Sequence, residues 1–130
     1  MGKTLIRSKK SVRSWMAAIT KLFAEMEKWA AQQDWLVARK TKALEEDSGT
    51  FEVPELWIKI PGGTIVAEVI GKDIIGADGR VDLYCFPTFD RFVLLWREGK
   101  WVIKTDSLMR WPKPWGPKAF VEMAELLIHP

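Results

Sequence analysis

Eight tryptophans in 130 residues, at 15, 29, 35, 57, 96, 101, 111 and 115, dominate the chemistry open to this chain. Burying one indole removes ~200 Å² from water, so a few of them fill much of a small core. Eight exceeds what such a core needs, and the remainder are expected at the surface. There, a rigid apolar ring with one N–H donor favours recognition of a partner. The segment Trp111-Pro-Lys-Pro-Trp115 is the most unusual placement. Proline-rich chain favours polyproline II and loses little entropy on docking. One reading is a rigid crossing whose indoles cap the end of a sheet. The other is an exposed aromatic platform of Trp111 and Trp115 among Lys104, Arg110 and Lys113, able to stack bases, hold a peptide or wall a small-molecule cavity. A second candidate surface is basic. Lys3, Arg7, Lys9, Lys10, Arg13 and Lys21 precede the first acid, Glu25. Such a cluster is either a solvated face or a contact to phosphate or an acidic partner.

Conventional catalytic sets are sparse. His129 is the single histidine and stands next to the C-terminal residue, which disfavours histidine catalysis or a His-rich metal site. Cys85 is the single cysteine. It alternates onto an apolar strand face, as a packed thiol does. Gly71, Gly76 and Gly79 do not form G-x-G-x-x-G, and no phosphate loop or Gly-x-Ser-x-Gly elbow is present. Asp73 and Asp78-Gly79 supply too few oxygen ligands for an EF-hand.

Gly79-Arg-Val-Asp-Leu-Tyr-Cys-Phe-Pro87, with the strand Phe92–Arg97 after it, is similar to the metal-binding strand pair of the PD-(D/E)xK nucleases. The resemblance covers residues 79–100. It implies that Asp82 binds a divalent metal, that Glu98-Gly-Lys100 supplies the Glu-x-Lys, and that the basic N-terminal region meets nucleic acid. Glu68, on the preceding strand, is then the other carboxylate facing Asp82. The sequence departs from the family where Glu98 and Lys100 flank a turn glycine. At the strand interior, where the family's metal ligand stands, it holds Leu95 and Trp96, which cannot bind Mg²⁺.

The elements that position these residues follow from periodicity. Trp15, Ile19, Leu22, Met26, Trp29 and Ala30 recur at spacings of three and four, predicting a helix over 12–33 capped by Ser8 or Ser11. Strands are expected over 35–43, 51–60, 64–70, 81–86, 91–97 and 100–105. Pro54 predicts an edge, bulge or break in the second, and GKDIIGADGR (71–80) reads as a glycine-punctuated loop. Glu98-Gly99 fits a two-residue hairpin loop, which places Trp96 opposite Trp101, Leu94 opposite Ile103 and Leu95 opposite Val102. Both faces of that hairpin are apolar, which predicts a central, doubly covered position. A last helix is expected over 117–128, with Pro117 near its start. Tight turns between successive strands favour a meander, hence an α+β fold: N-terminal helix, curved antiparallel sheet of about six strands, short C-terminal helix.

At 48% hydrophobic and 28% charged, the composition is that of a globular domain rather than a disordered chain. Residues 1–10 are expected as a basic arm and 11–130 as one domain. No apolar run reaches the ~20 residues of a membrane span, and MGKTLIRSKKSVR lacks the apolar stretch of a secretory signal. Ile6 stands where a myristoylation motif needs Ser or Thr. One cysteine permits no intrachain disulfide, which suits a reducing cytoplasm. The sequence therefore points to a non-enzymatic binding or interaction module with no cofactor, no metal and no membrane contact. Its candidate binding residues are Trp111, Trp115, Arg110, Lys113, Lys9, Lys10 and Arg13. A protein partner or self-association, nucleic acid, and a small apolar ligand are all open. The metal-dependent nuclease built on Asp82, Glu68, Glu98 and Lys100 is the enzymatic alternative.

Overall fold

The computed structural model describes residues 2–74, 76–104 and 113–129, with the backbone alone for 2–10 and 113. The chain runs α1 (Gly2–Gln32), β1 (Leu36–Glu46), β2 (Gly49–Ile60), β3 (Gly63–Ile74), β4 (Ala77–Phe86), β5 (Arg91–Arg97), β6 (Lys100–Lys104), β7 (Lys113–Pro114) and α2 (Pro117–Ile128). All strands pair antiparallel in chain order, so the expected α+β meander between two helices is the observed fold. To the six strands it adds the two-residue β7, which pairs with Val102 and Ile103.

The stripe that predicted α1 is buried from Trp15 to Ala30, joined by Phe23. The helix starts at Gly2 rather than near residue 12, so Ser8 and Ser11 lie within it rather than at its start. It ends where Asp34 turns left-handed (φ 62°) and Trp35 N–H donates to the Ala30 carbonyl at 3.0 Å. Ala119, Phe120, Met123, Ala124 and Leu127 of α2 lie in the same core. Both helices therefore cover one face of the sheet, here called the inner face. Its strand residues are Leu56, Ile58, Ile65, Ala67, Val81, Leu83, Leu94 and Ile103. Among the described residues no helix is long and apolar enough to cross a membrane.

Residues 71–80 differ from the expected loop. The strand β3 runs to Ile74 and β4 starts at Ala77, with Gly76 before it at φ 83°. The other glycines have different tasks. Gly71 follows a bulge, where the β3–β4 register shifts between Val69 and Gly71. Gly79 lies beneath the Trp15 ring, where a Cβ would come within 3.0 Å of Cδ1. Glycine here marks close approach, not irregular chain. Pro54 sits just beyond Glu55, where the pairing of β2 with β3 stops, so its missing donor costs no hydrogen bond on that side. Past that break the β1–β2 hairpin reaches Phe51 to Trp15, edge to face at 5.6 Å, and Glu46 to the Lys72 N–H at 2.7 Å.

The β5–β6 hairpin has the expected register: Trp96 opposite Trp101, Leu94 opposite Ile103, Leu95 opposite Val102. Glu98 and Gly99 both have positive φ, 50° and 73°, the left-handed pair that a two-residue hairpin loop requires. Its position is not central. Meander order sets it toward the β7 end of the sheet, with β3 and β4 in the middle.

Candidate binding groove

Alongside the buried stripe of α1, that helix and the β5–β6 hairpin line a groove of about 650 Å³. One wall is α1, through Ser14, Ala17, Ala18, Lys21 and Glu25, a helical row in which two alanines leave room. The facing wall is Trp96, Lys100, Trp101 and Val102, and Pro114 and Trp115 close the end. Trp96 and Trp101 stack with centroids 6.3 Å apart and planes at 28°. Both are half-buried and packed on the core. Trp115 rests on Trp29 at 5.6 Å and meets Phe120 edge to face at 5.9 Å. Its Nε1–H is buried and finds no acceptor among the described residues. Lys21 and Lys100 stand exposed at the rim. Three indoles thus present apolar surface beside the Lys21 and Lys100 ammonium groups, with the Glu25 carboxylate on the same helix wall.

Of the residues singled out from the sequence as candidate sites, Trp115, Lys100 and Lys21 line this groove. Arg13 is exposed on α1, next to Ser14. Lys9 and Lys10 belong to the same helix, and Lys113 to β7. Arg110 and Trp111 lie outside the described residues. Trp96 and Trp101 were legible as a pair but read as core. The alternation puts them on the inner face, where they are half-buried and line the groove beside α1.

Asp82 and Glu68 are directly opposed on β4 and β3. They do not form an open acidic pair. Asp82 is fully buried, and Arg80 donates to both its oxygens at 2.7 and 2.9 Å. Arg91 Nη1 adds a third donor at 2.9 Å. The hydrogen bond to Asp82 holds the Arg80 guanidinium above its ordinary pKa. Glu68 accepts from Lys42 Nζ at 2.8 Å. Glu98 and Lys100 are at the hairpin tip, five residues along from Val93 and four from Lys104 in the row of Asp82, or roughly 13–16 Å at strand rise. Among the described residues no three His, Cys, Asp or Glu side chains come together as a metal site. Cys85 is buried with Sγ 3.7 Å from the Phe86 carbonyl, and His129 Nε2 is 3.3 Å from the Pro61 carbonyl.

The same strands carry a surface that composition and spacing did not single out. On the outer face, Trp57 Nε1–H donates to Glu55 at 2.7 Å, and Lys40 Nζ lies 4.2 Å above the Trp57 ring. Tyr84 stacks with Phe89 at 5.7 Å, and Trp57 packs on Phe86 at 5.8 Å. Burial, then the charges of Glu68 and Glu55, raise the Tyr84 pKa. The pairing of non-neighbouring segments assembles this surface, so only strand register could have found it. Comparison of the chain with protein-family models, curated proteins and solved structures finds no match.

Proposed function

We propose that the chain is a non-enzymatic binding module whose ligand lies in the tryptophan-lined groove. The observation that carries this reading is the convergence of Trp96, Trp101 and Trp115 on one concavity of about 650 Å³. That volume is within the ~300–1,000 Å³ of ligand pockets. Stacked indoles take a flat apolar group, and Lys21 and Lys100 at the rim select a negative substituent beside it. The ligand is therefore an aromatic or planar apolar molecule bearing an acidic group. A reducing cytoplasm, consistent with a lone packed thiol, is its proposed compartment. The nuclease alternative has less support, because three guanidinium donors already occupy the Asp82 oxygens.

Anilinonaphthalene sulfonate has the proposed chemistry and reports binding by its fluorescence; phenylnaphthylamine is its uncharged control. The sulfonate is expected to bind the native protein more tightly than the control. Trp101→Ala is expected to weaken it about tenfold, the value of one lost stacking contact. Because Trp101 is only half-buried, that variant stays folded, at a cost of about 1–3 kcal/mol in a denaturant melt. Equal binding by wild type and Trp101→Ala overturns the groove. Cleavage of nucleic acid in Mn²⁺ that Asp82→Ala abolishes would replace this reading with the metal-dependent nuclease.

A further inference from the structure

Both helices pack on the inner face, and among the described residues no helix crosses the outer one. Register defines what the outer face displays. One row across the sheet is Lys40, Glu55, Glu68, Asp82, Val93 and Lys104. The next is Ala38, Trp57, Val66, Tyr84 and Arg91, and beside it stand Lys59, Thr64 and Phe86. Directly opposed residues in a sheet share a face, so these side chains lie together, with Val66 and Asp82 fully buried beneath the rest.

Two features of that surface point to a ligand. The first is a shelf of aromatic rings. Phe86 and Phe89 are 45% and 53% exposed, and Phe89 stacks on Tyr84 and meets Phe86 edge to face at 6.0 Å. Phe89 holds this position at φ 64°, a left-handed conformation unfavourable for a bulky residue. Strain kept at an exposed aromatic marks a position held for something other than the core. The second feature is charge. The three carboxylates of the strand rows are already engaged, Asp82 by Arg80 and Arg91, Glu68 by Lys42 and Glu55 by the Trp57 N–H, while Asp90 stands exposed beside Phe89. Lys59 and Lys104 are exposed on the same face and add positive charge, while Lys40 lies over an indole. The surface therefore has surplus positive charge framing exposed π-faces.

We propose that the outer sheet face binds single-stranded nucleic acid, with bases stacking on Phe86 and Phe89 and phosphates meeting Lys59, Lys104 and Arg91. Unpaired bases expose the ring faces that such a shelf stacks, and a duplex hides them. Surplus cations complement a polyanion, whereas the centre of a protein interface is depleted of charge. The site is independent of the groove, which opens on the other side of the sheet.

Fluorescence anisotropy of labelled oligodeoxythymidine and oligouridine, each about 16 nucleotides long to cover a full footprint, tests this at roughly 50 mM salt. Both strands are expected to bind, with a duplex of equal length at least about tenfold weaker. The pair Phe86→Ala and Phe89→Ala removes exposed rings and is expected to weaken binding by about tenfold or more. Lys59→Glu with Lys104→Glu leaves the rings in place and is expected to lower the salt slope by roughly one per lost phosphate contact. Trp101→Ala is expected to leave the affinity unchanged. Absence of binding to either strand overturns the proposal. So does equal affinity for duplex, or binding that survives loss of both phenylalanines. Loss of binding in Trp101→Ala would transfer the site to the groove and likewise overturn it. Self-association in sedimentation that the phenylalanine variant abolishes would instead assign the shelf to a second copy of the chain.

Discussion

The two faces of one sheet treat the same side chain in opposite ways. On the inner face Trp15 is fully buried between Phe51 and Gly79, and its Nε1–H reaches no acceptor among the described residues. On the outer face Trp57 is half-buried, donates to Glu55 and carries Lys40 across its ring. The inner face gives up a hydrogen bond in exchange for close packing on every side of the ring. The outer face pairs its carboxylates with donors from neighbouring rows, so that even a fully buried carboxylate, Asp82, has three donors. A tryptophan count therefore says little about binding until the face is known. The inner face supplies most of the buried core together with the half-buried Trp96 and Trp101 of the groove, and the outer face displays the exposed Phe86 and Phe89.

The contrast breaks most visibly at Trp15. Trp15→Ala is expected to cost about 3–5 kcal/mol, the range for emptying a large buried site. Urea denaturation reads this directly, and a loss under about 1 kcal/mol would erase the distinction between the faces. Asp82→Ala comes next, at about 2 kcal/mol, since three charge-assisted hydrogen bonds disappear. The full penalty of breaking a buried pair is not expected, because Arg80 and Arg91 are partly exposed and turn to water. A loss as large as that of Trp15→Ala would show that the outer network, too, is core.

The smallest effect is the sharpest spectroscopically. Tyr84 is the only tyrosine in the chain, so phenolate absorbance reports it alone. Burial, then Glu68 and Glu55, disfavour the phenolate and raise its pKa above the ordinary 10.0. The folded chain thus holds the phenolic proton more tightly than the unfolded chain. Its stabilising share is complete below the ordinary pKa and is lost as pH rises through the raised one. An alkaline titration of the native protein is expected to have its midpoint above 10.0, and Glu68→Gln is expected to lower it. A native midpoint at the ordinary value would mean that Tyr84 does not face those carboxylates.

The legible parts of this fold were local. The α1 stripe, the α2 start at Pro117 and the β5–β6 register each depend on residues close in sequence, and each appears as the periodicity implies. Residues 71–80 misled because glycine signals a loop by itself. A bulge and a contact beneath Trp15 require partners that only the folded chain supplies. The same limit applied to the sites. Asp82 and Glu68 could be paired by counting strands, but Arg80 and Arg91 engaging the Asp82 oxygens could not. The tip position of Glu98 and Lys100 followed from one dipeptide. The aromatic shelf required Phe89 to fold back from a turn onto Tyr84.

The strand β1 has eleven residues and is the open border of the sheet. Its three basic side chains are all tethered: Arg39 to Glu27, Lys40 over Trp57, Lys42 to Glu68. A bare border of this length is a template on which another copy can crystallise its own backbone, and charged side chains held across it repel that addition. Colloidal behaviour thus becomes a property of three tethers. Acetylating Lys40 and Lys42, or screening them in concentrated salt, is expected to turn a well-dispersed solution into one that scatters light, with native secondary structure intact.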